Sequence, residues 1–132
     1  LKVAEYNAKI QHLGNRIEFI YSGIDKFYTG KYDIIISNPP YIKSTSIKNL
    51  DEDVRFYEPR IALDGGYDGY SQFREIIKKS SSLLKNGGKL FLEIGHKQIY
   101  EVEKLLKENH FYINKIVKDL NKINRCIVST KI

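Results

Sequence analysis

The apolar run at residues 34–36, Ile-Ile-Ile, and the four residues that follow Ser37 constrain the fold more than any other feature. An unbroken β-branched run is typical of a strand covered on both faces, because neither face then needs polar side chains. The run stops at Asn38, Pro39, Pro40 and Tyr41, and a proline cannot donate a hydrogen bond to a neighbouring strand. The sequence therefore predicts a buried strand over residues 32–37, with a polar and rigid tetrapeptide directly after it.

Segments with helical and strand-like patterns alternate along the rest of the chain, which is typical of an α/β fold with a mainly parallel sheet. Between residues 43 and 69 the periodicity is lost, which predicts a long loop with room for one short helix. The final two strands are joined by a polar turn and predict an antiparallel hairpin. The predicted helices cover residues 2–13, 70–85 and 98–109. The remaining predicted strands cover residues 16–21, 89–95, 111–120 and 125–131.

Length and composition narrow the class of protein without naming a partner. A chain of 132 residues suits one domain, and no apolar run approaches the roughly 20 residues that span a bilayer. We therefore expect a cytoplasmic protein without membrane contact, and one cysteine alone predicts no metal site. The net charge of +6 is spread along the chain, so it fits a solvated surface at least as well as a nucleic-acid contact.

The tetrapeptide at residues 38–41 is placed where an open α/β sheet binds ligands, beyond the carboxyl end of a strand. The Asn38 side chain offers one acceptor and two donors, which match another planar amide or an exocyclic amine. Pro39 and Pro40 stiffen the backbone and fix the direction of the Pro39 carbonyl group, while Tyr41 adds an aromatic face. These groups predict a pocket that holds a flat –NH2 group.

Such a pocket would solve a chemical problem, since the lone pair of an amide or aniline-like nitrogen is delocalised and reacts poorly. Two acceptors placed out of the plane of the group favour the pyramidal nitrogen of the transition state and aim its lone pair at an electrophile. The alternative is that Asn38 and the prolines only end the strand, because both residue types are common in turns.

Several motifs together resemble one family of enzymes. The tetrapeptide alone is shared by N6-adenine DNA methyltransferases, some guanine-N2 RNA methyltransferases and protein glutamine N5-methyltransferases. The longer set resembles the HemK/PrmC family, the release factor glutamine methyltransferases, along essentially the whole chain. The motifs are SNPPYI at residues 37–42, DVRFYEPRIALDGGYDG at 53–69, GGKLFLEIGHKQ at 87–98 and DLNKINR at 119–125.

The resemblance implies a Rossmann-like fold that binds S-adenosylmethionine and methylates the glutamine of the Gly-Gly-Gln motif in a peptide chain release factor. On this interpretation Asn38, Pro39, Pro40 and Tyr41 form the catalytic group, the release factor is the partner, and no direct nucleic-acid contact is expected. Two alternatives stay open. The chain could belong to an N6-adenine or guanine-N2 nucleic-acid methyltransferase, or it could be a non-catalytic module.

The resemblance also implies roles for residues outside the tetrapeptide. The loop that carries Arg55, Glu58 and Pro59 would line the substrate side, although Arg55 and Glu58 could instead simply pair. Glu93 could contact substrate or cap the turn after its strand. The cofactor-binding residues would be Asn38 and the three residues at Gly23, Ile24 and Asp25. Gly23 stands where the family has an acidic residue, so Asp25 could take the place of that acid. Ile24 could cover the adenine ring of the cofactor. The alternative is that this stretch is a plain loop.

The family's Gly-rich turn and the acid after its second strand have no counterpart in the sequence. We therefore expect residues 1–132 to be the C-terminal part of a single methyltransferase catalytic domain, with the first two strands and the Gly-rich loop absent. The strand at 16–21 would then be displaced, pair directly with the strand at 32–37, or pack against another copy. Alone, the chain is expected to be inactive, to show no S-adenosylmethionine binding in calorimetry, and to be capable of self-association.

Overall fold

A computed structural model describes all residues from 1 to 132 and shows five α-helices with one four-stranded sheet. The helices are α1 (Lys2–Ile10), α2 (Glu52–Tyr57), α3 (Arg60–Leu63), α4 (Ser71–Leu83) and α5 (Ile99–Glu108). The strands are β1 (Tyr32–Ser37), β2 (Leu84–Glu93), β3 (Phe111–Lys118) and β4 (Asn124–Lys131). Short 3-10 helices cover Gly14–Arg16, Ile24–Lys26 and Ser44–Asn49. Each helix is too short or too polar to cross a membrane.

The sheet has the strand order β1-β2-β4-β3. β1 and β2 pair in parallel, with Ile34 opposite Lys89 and Ser37 opposite Leu92. β4 runs antiparallel to both β2 and β3, which confirms the predicted hairpin. The α/β class is also confirmed, and the sheet is mixed rather than mainly parallel.

The hydrophobic core forms where α4 and α5 pack against the sheet. Leu90, Leu92 and Ile94 are fully buried, as expected for alternate residues of a central strand whose side chains point to one face. α5 contributes Val102, Leu105 and Leu106 from the stripe that its helical spacing predicts. This core fixes the carboxyl ends of β1 and β2. Because the two strands run parallel, both finish at the same end of the sheet.

β1 is less buried than its sequence predicts. It pairs only with β2, so its outer edge is free, and only Ile35 packs against the core. Ile34 and Ile36 point to the opposite face and are 54% and 77% exposed. The prediction of cover on both faces is therefore wrong for this chain, because none of its elements packs over that second face.

Two segments differ in secondary structure from the predictions. Residues 16–21 form no strand and do not pair with β1, although the backbone at Ile17 is extended with φ −125° and ψ 127°. Extended backbone becomes a strand only when a neighbour takes its hydrogen bonds, and these residues have no such neighbour. The predicted loop at 43–69 is more ordered than expected, since it contains α2, α3 and the 3-10 helix at Ser44–Asn49.

Candidate active site

Residues 38–41 leave the carboxyl end of β1, where the sequence places them. The Asn38 side chain is exposed, Pro39 is buried, and Pro40 and Tyr41 are half-buried. The tetrapeptide is thus anchored through its first proline while the amide of Asn38 faces solvent. This arrangement leaves the Asn38 amide accessible to a ligand.

A cavity of about 380 Å³ lies against this tetrapeptide. Its volume falls at the lower end of the range typical of small-molecule sites. The cavity combines one amide, one carboxylate and apolar walls, and it brings the four predicted catalytic residues together with Glu58 of the predicted substrate loop. Its lining consists of Asn38, Pro39, Pro40, Tyr41, Ile42, Glu58, Ala62 and Leu63.

The structure separates the three predicted substrate-loop residues. Glu58 directly follows α2 and lines the cavity, and its side chain makes no hydrogen bond or ion pair. Arg55 lies 4.0 Å from the Glu52 carboxylate and donates to the Lys48 carbonyl oxygen at 3.1 Å, so the Arg55–Glu58 pair given as an alternative is wrong. Pro59 precedes α3 and does not line the cavity. Glu58 alone of the three is free to meet a ligand there.

Backbone hydrogen bonds hold the second wall of the cavity against the tetrapeptide. Ile42 and Asp64 form an isolated parallel bridge, in which the Ile42 N–H donates to the Leu63 carbonyl oxygen at 3.0 Å. The Asp64 carboxylate accepts from the Ser44 hydroxyl and from the Gly66 N–H, and Arg60 pairs with it at 3.2 Å. These contacts, the Ser44 hydrogen bond first, lower the pKa of Asp64 below its usual value. α3 and residues 38–42 therefore form one connected unit.

Two glycines allow other backbone segments to approach Tyr41 closely. A Cβ atom added at Gly65 would lie 2.8 Å from the Tyr41 Cα and carbonyl carbon. One added at Gly95 would lie 2.8 Å from the Tyr41 ring and 2.6 Å from the Gln98 side-chain oxygen. Real Cβ atoms do not approach backbone atoms as closely as one at Gly65 would, so that position requires glycine for packing. At Gly95 an added Cβ would displace the Tyr41 ring or the Gln98 side chain.

Gly65→Ala is expected to destabilise the fold by about 1–3 kcal/mol, because its Cβ would push the Tyr41 backbone away from α3. Gly14→Ala is a matched control, since an added Cβ there meets nothing within 4 Å. Urea unfolding of both variants measures the difference, with the control expected to be neutral or slightly stabilised. Equal midpoints for the two variants would show that the Gly65–Tyr41 contact is not tight.

Gln98 joins three segments around Tyr41. Its side-chain nitrogen donates to the carbonyl oxygens of Tyr41 and Gly69, at 3.2 and 3.1 Å. Its side-chain oxygen accepts from the Gly95 N–H at 2.9 Å. Only 8% of Gln98 is exposed, so the end of β2, the loop that contains Gly69 and the tetrapeptide are tied together by one buried amide. We predicted no role for Gln98 from the sequence.

Asp68 organises the start of α4 next to this unit. Its carboxylate accepts from the Tyr70 N–H at 3.0 Å and pairs with Arg74. The Arg74 hydrogen bond is the main cause that lowers the pKa of Asp68 from 3.8 to about 2. A carboxyl group with a lowered pKa in the folded state stabilises the protein above its unfolded-state pKa, and the stabilisation is lost on acidification.

We expect Asp68 to contribute stability that is complete above about pH 4 and disappears between about pH 4 and pH 2. The contribution is about 0.5–1 kcal/mol after allowance for solvent screening, because the pair is partly exposed. Urea unfolding of the parent chain and Asp68→Asn at pH 6, 4 and 2.5 tests this, because Asp64 and Asp119 titrate alike in both proteins. A stability difference that is the same at all three pH values would contradict the prediction.

The DLNKINR motif has a structural explanation. The Asp119 carboxylate accepts from the N–H groups of Asn121 and Ile123 at 2.9 and 3.0 Å and pairs with Arg125 at 3.2 Å. These bonds, that from Ile123 first, lower the pKa of Asp119. Arg125 also donates to the Ile94 carbonyl oxygen at 3.2 Å. The motif closes the β3–β4 hairpin and ties it to the end of β2, beside Gly95.

Apart from Asn38, the predicted cofactor residues lie away from the cavity. Gly23, Ile24 and Asp25 form the start of a 3-10 turn that contacts α4, and Ile24 packs against the core. None of the three lines the cavity beside Asn38. Glu93 is half-buried in β2 and its side chain makes no hydrogen bond, so the capping role given as an alternative is not seen. Contacts of these four residues with cofactor or substrate stay predictions.

Comparison with solved structures defines the class of the fold. The chain superposes on the ribosomal protein L11 methylase of Lactobacillus delbrueckii subsp. bulgaricus with a TM-score of 0.67 and 18% identity. The superposition covers 98% of this chain and 51% of that structure. The fold is therefore that of the S-adenosylmethionine-dependent methyltransferases, as the sequence predicts.

Sequence comparison then gives the family. The chain belongs to the family whose model is described as Eco57I restriction-modification methylase, which matches residues 2–125. It is also 38% identical to the release factor glutamine methyltransferase of Fusobacterium nucleatum and 36% identical to that of Bradyrhizobium diazoefficiens, each over 99% of this chain. The chain spans 37% and 44% of the length of these two relatives. The predicted resemblance to the release factor glutamine methyltransferases is confirmed.

Proposed function

We propose that this chain forms the acceptor side of the active site in an enzyme that methylates the glutamine of the Gly-Gly-Gln motif in a peptide chain release factor. The observation that carries the proposal is the exposed amide of Asn38 beside a cavity, followed in the chain by the buried Pro39. The names of the curated relatives support glutamine as the methylated residue.

Each residue of the tetrapeptide has a proposed role. The Asn38 side-chain oxygen and the Pro39 carbonyl oxygen accept the two N–H groups of the substrate amide and orient its nitrogen lone pair. Pro40 keeps the backbone from donating a competing hydrogen bond, and Tyr41 walls the slot. Hydrogen bonds that strengthen as the nitrogen becomes pyramidal stabilise the transition state more than the bound substrate, and this difference accelerates the reaction.

S-adenosylmethionine would supply the methyl group as an electrophile. The polar groups of the cavity fit the reactive end of this cofactor. They are the exposed amide of Asn38 and the carboxylate of Glu58, whose side chain has no partner within the chain. We propose Asn38 as its contact at that end and the turn at Gly23, Ile24 and Asp25 as its contact at the adenine. The role of this chain's residues is then to bind and orient the two reactants.

We also propose that residues 1–132 are part of a larger catalytic domain located in the cytoplasm. The free outer edge of β1 supports this, because an edge strand offers unpaired N–H and C=O groups to a further strand. Exposed Ile34 and Ile36 support it as well, since additional structure could bury them. The curated relatives are more than twice as long as the chain.

Methylation of an amino group on a nucleic acid is the second candidate. The description of the family model as a restriction-modification methylase favours it, and the net charge of +6 would help to bind phosphate. We rank it second because the curated relatives match nearly the whole chain and are named for a protein substrate.

The test is a methyl-transfer assay with the whole protein that contains this chain. Radiolabelled S-adenosylmethionine is offered with a release factor, with the same release factor carrying Gly-Gly-Ala, and with unmethylated DNA and transfer RNA. The proposal requires label in the first protein alone. Label in a nucleic acid but in neither protein would refute it and support the second candidate.

A further inference from the structure

Two further cavities continue from the candidate active site and are lined by cations without any carboxylate. The nearer cavity, of about 480 Å³, shares Tyr41 and Ile42 with the active-site cavity and also contains Lys43. The farther cavity, of about 320 Å³, contains Lys118 and Lys122. Both include His96 and Lys97, so each of the three cavities shares lining residues with the next. We call the basic residues of the two further cavities the basic groove: Lys43, His96, Lys97, Lys118 and Lys122.

No residue of the basic groove is paired with a carboxylate of this chain. All five of its residues are exposed, and their side chains make no hydrogen bond or ion pair. The carboxylates of Asp68 and Asp119, near either end of the groove, are engaged by Arg74 and Arg125. Charges of one sign that line a concave surface raise the local concentration of an oppositely charged partner.

We propose that the basic groove binds acidic side chains of the protein substrate, on the surface that flanks its methylated loop. This inference rests on the proposed function and names the means by which the site holds a whole protein. The partner sits with its glutamine at Asn38, while its carboxylates reach the lysines beyond Tyr41. Rim charges of this kind act mainly on the rate and salt dependence of association.

The kinds of side chain in the groove favour a protein over a nucleic acid. The farther cavity is walled by Ile99, Tyr100 and Ile123 beside its lysines. These walls suit the apolar parts of a polypeptide surface, whereas a nucleic-acid backbone presents phosphates and sugars.

The experiment compares two double variants of the whole protein that have the same net charge. Lys118→Glu with Lys122→Glu reverses charges of the groove far from Asn38, and Lys104→Glu with Lys107→Glu reverses exposed charges on α5 outside it. Substrates are an intact release factor and a short peptide with the Gly-Gly-Gln motif. We expect the groove variant to raise KM for the intact release factor about tenfold at low salt. Its kcat, and its activity on the peptide, should equal those of the control.

Further measurements make each outcome decisive. Lys118→Gln with Lys122→Gln, which neutralises without reversing charge, should give a smaller rise in KM, and high salt should reduce the differences. If the parent enzyme methylates the release factor and both Glu variants share one KM, the groove proposal is wrong while the proposed function stands. If the parent enzyme leaves the release factor unmodified, both fail. Loss of transfer RNA or DNA binding by the groove variant, with KM for the release factor unchanged, would also overturn the groove proposal.

Discussion

Asn38→Ala in the whole protein is expected to lower kcat/KM for glutamine methylation by about 10²–10³-fold, the loss typical of removing one oriented hydrogen-bonding group from a reaction centre. The side chain is exposed beside the cavity, so its removal leaves no buried group unpaired and should not change the free energy of unfolding. The loss should fall mainly on kcat, because the Asn38 oxygen is proposed to bind the pyramidal nitrogen more tightly than the planar one.

The matched control is Asn86→Ala, which removes an exposed asparagine side chain that makes no hydrogen bond and lies outside the cavity. Steady-state rates and urea unfolding are measured for both variants. The proposed role of Asn38 requires loss of activity at unchanged stability in one variant and no loss in the other. A kcat within twofold of the parent for Asn38→Ala would refute it.

Gln98→Leu is expected to lower both stability and activity. The change removes three hydrogen bonds and leaves the Gly95 N–H and the carbonyl oxygens of Tyr41 and Gly69 without their partner. Each buried group left unpaired costs about 1–3 kcal/mol, so a total of about 3 kcal/mol or more is expected. Tyr41 would also lose the contact that fixes its position relative to the end of β2, so kcat should fall even where the variant remains folded.

Gln11→Leu is the matched control, since Gln11 is exposed after α1 and its side chain makes no hydrogen bond. Urea unfolding and kcat at a temperature well below either midpoint separate the two effects. If Gln98→Leu unfolds at the same urea concentration as the control, the buried amide does not hold the three segments together. If it is less stable yet keeps full kcat, its role is structural and does not extend to the positioning of Tyr41.

The parts of the fold that the sequence predicted best have signals contained within a short segment. β1 begins and ends where the strand predicted at 32–37 does, because the prolines that follow cannot donate hydrogen bonds to a neighbouring strand. The stripe of apolar residues at helical spacing located α4 and α5 to within a few residues. Asn38 lies beside the cavity, at the end of the strand where the sequence placed it, because its position depends only on where one strand ends.

The errors concern properties that depend on partners distant in sequence. Three isoleucines in a row signal apolar surroundings, but they do not say whether this chain itself supplies the cover, and Ile36 is 77% exposed. Residues 16–21 have the alternation of a strand and no strand to pair with. Both observations fit the proposal that further structure of a whole catalytic domain lies against β1.

Gln98 was missed because its partners lie 57 and 29 residues away in the chain. A local signal was nevertheless present. Gln98 stands four residues before Val102 and seven before Leu105, so it lies on the buried stripe of α5. A polar residue on a buried helical stripe must find hydrogen-bond partners inside the protein, and the glycines at 69 and 95 are the positions where backbone can approach it.

The most direct test of the account is to locate the methyl group that the whole enzyme transfers. A release factor is incubated with the enzyme and S-adenosylmethionine, digested, and sequenced by tandem mass spectrometry. The account predicts one added methyl group on the side-chain amide of the Gly-Gly-Gln glutamine, and none when Asn38→Ala replaces the parent enzyme. A methyl group on any other residue, or its presence only on adenine or guanine of an added nucleic acid, would contradict it.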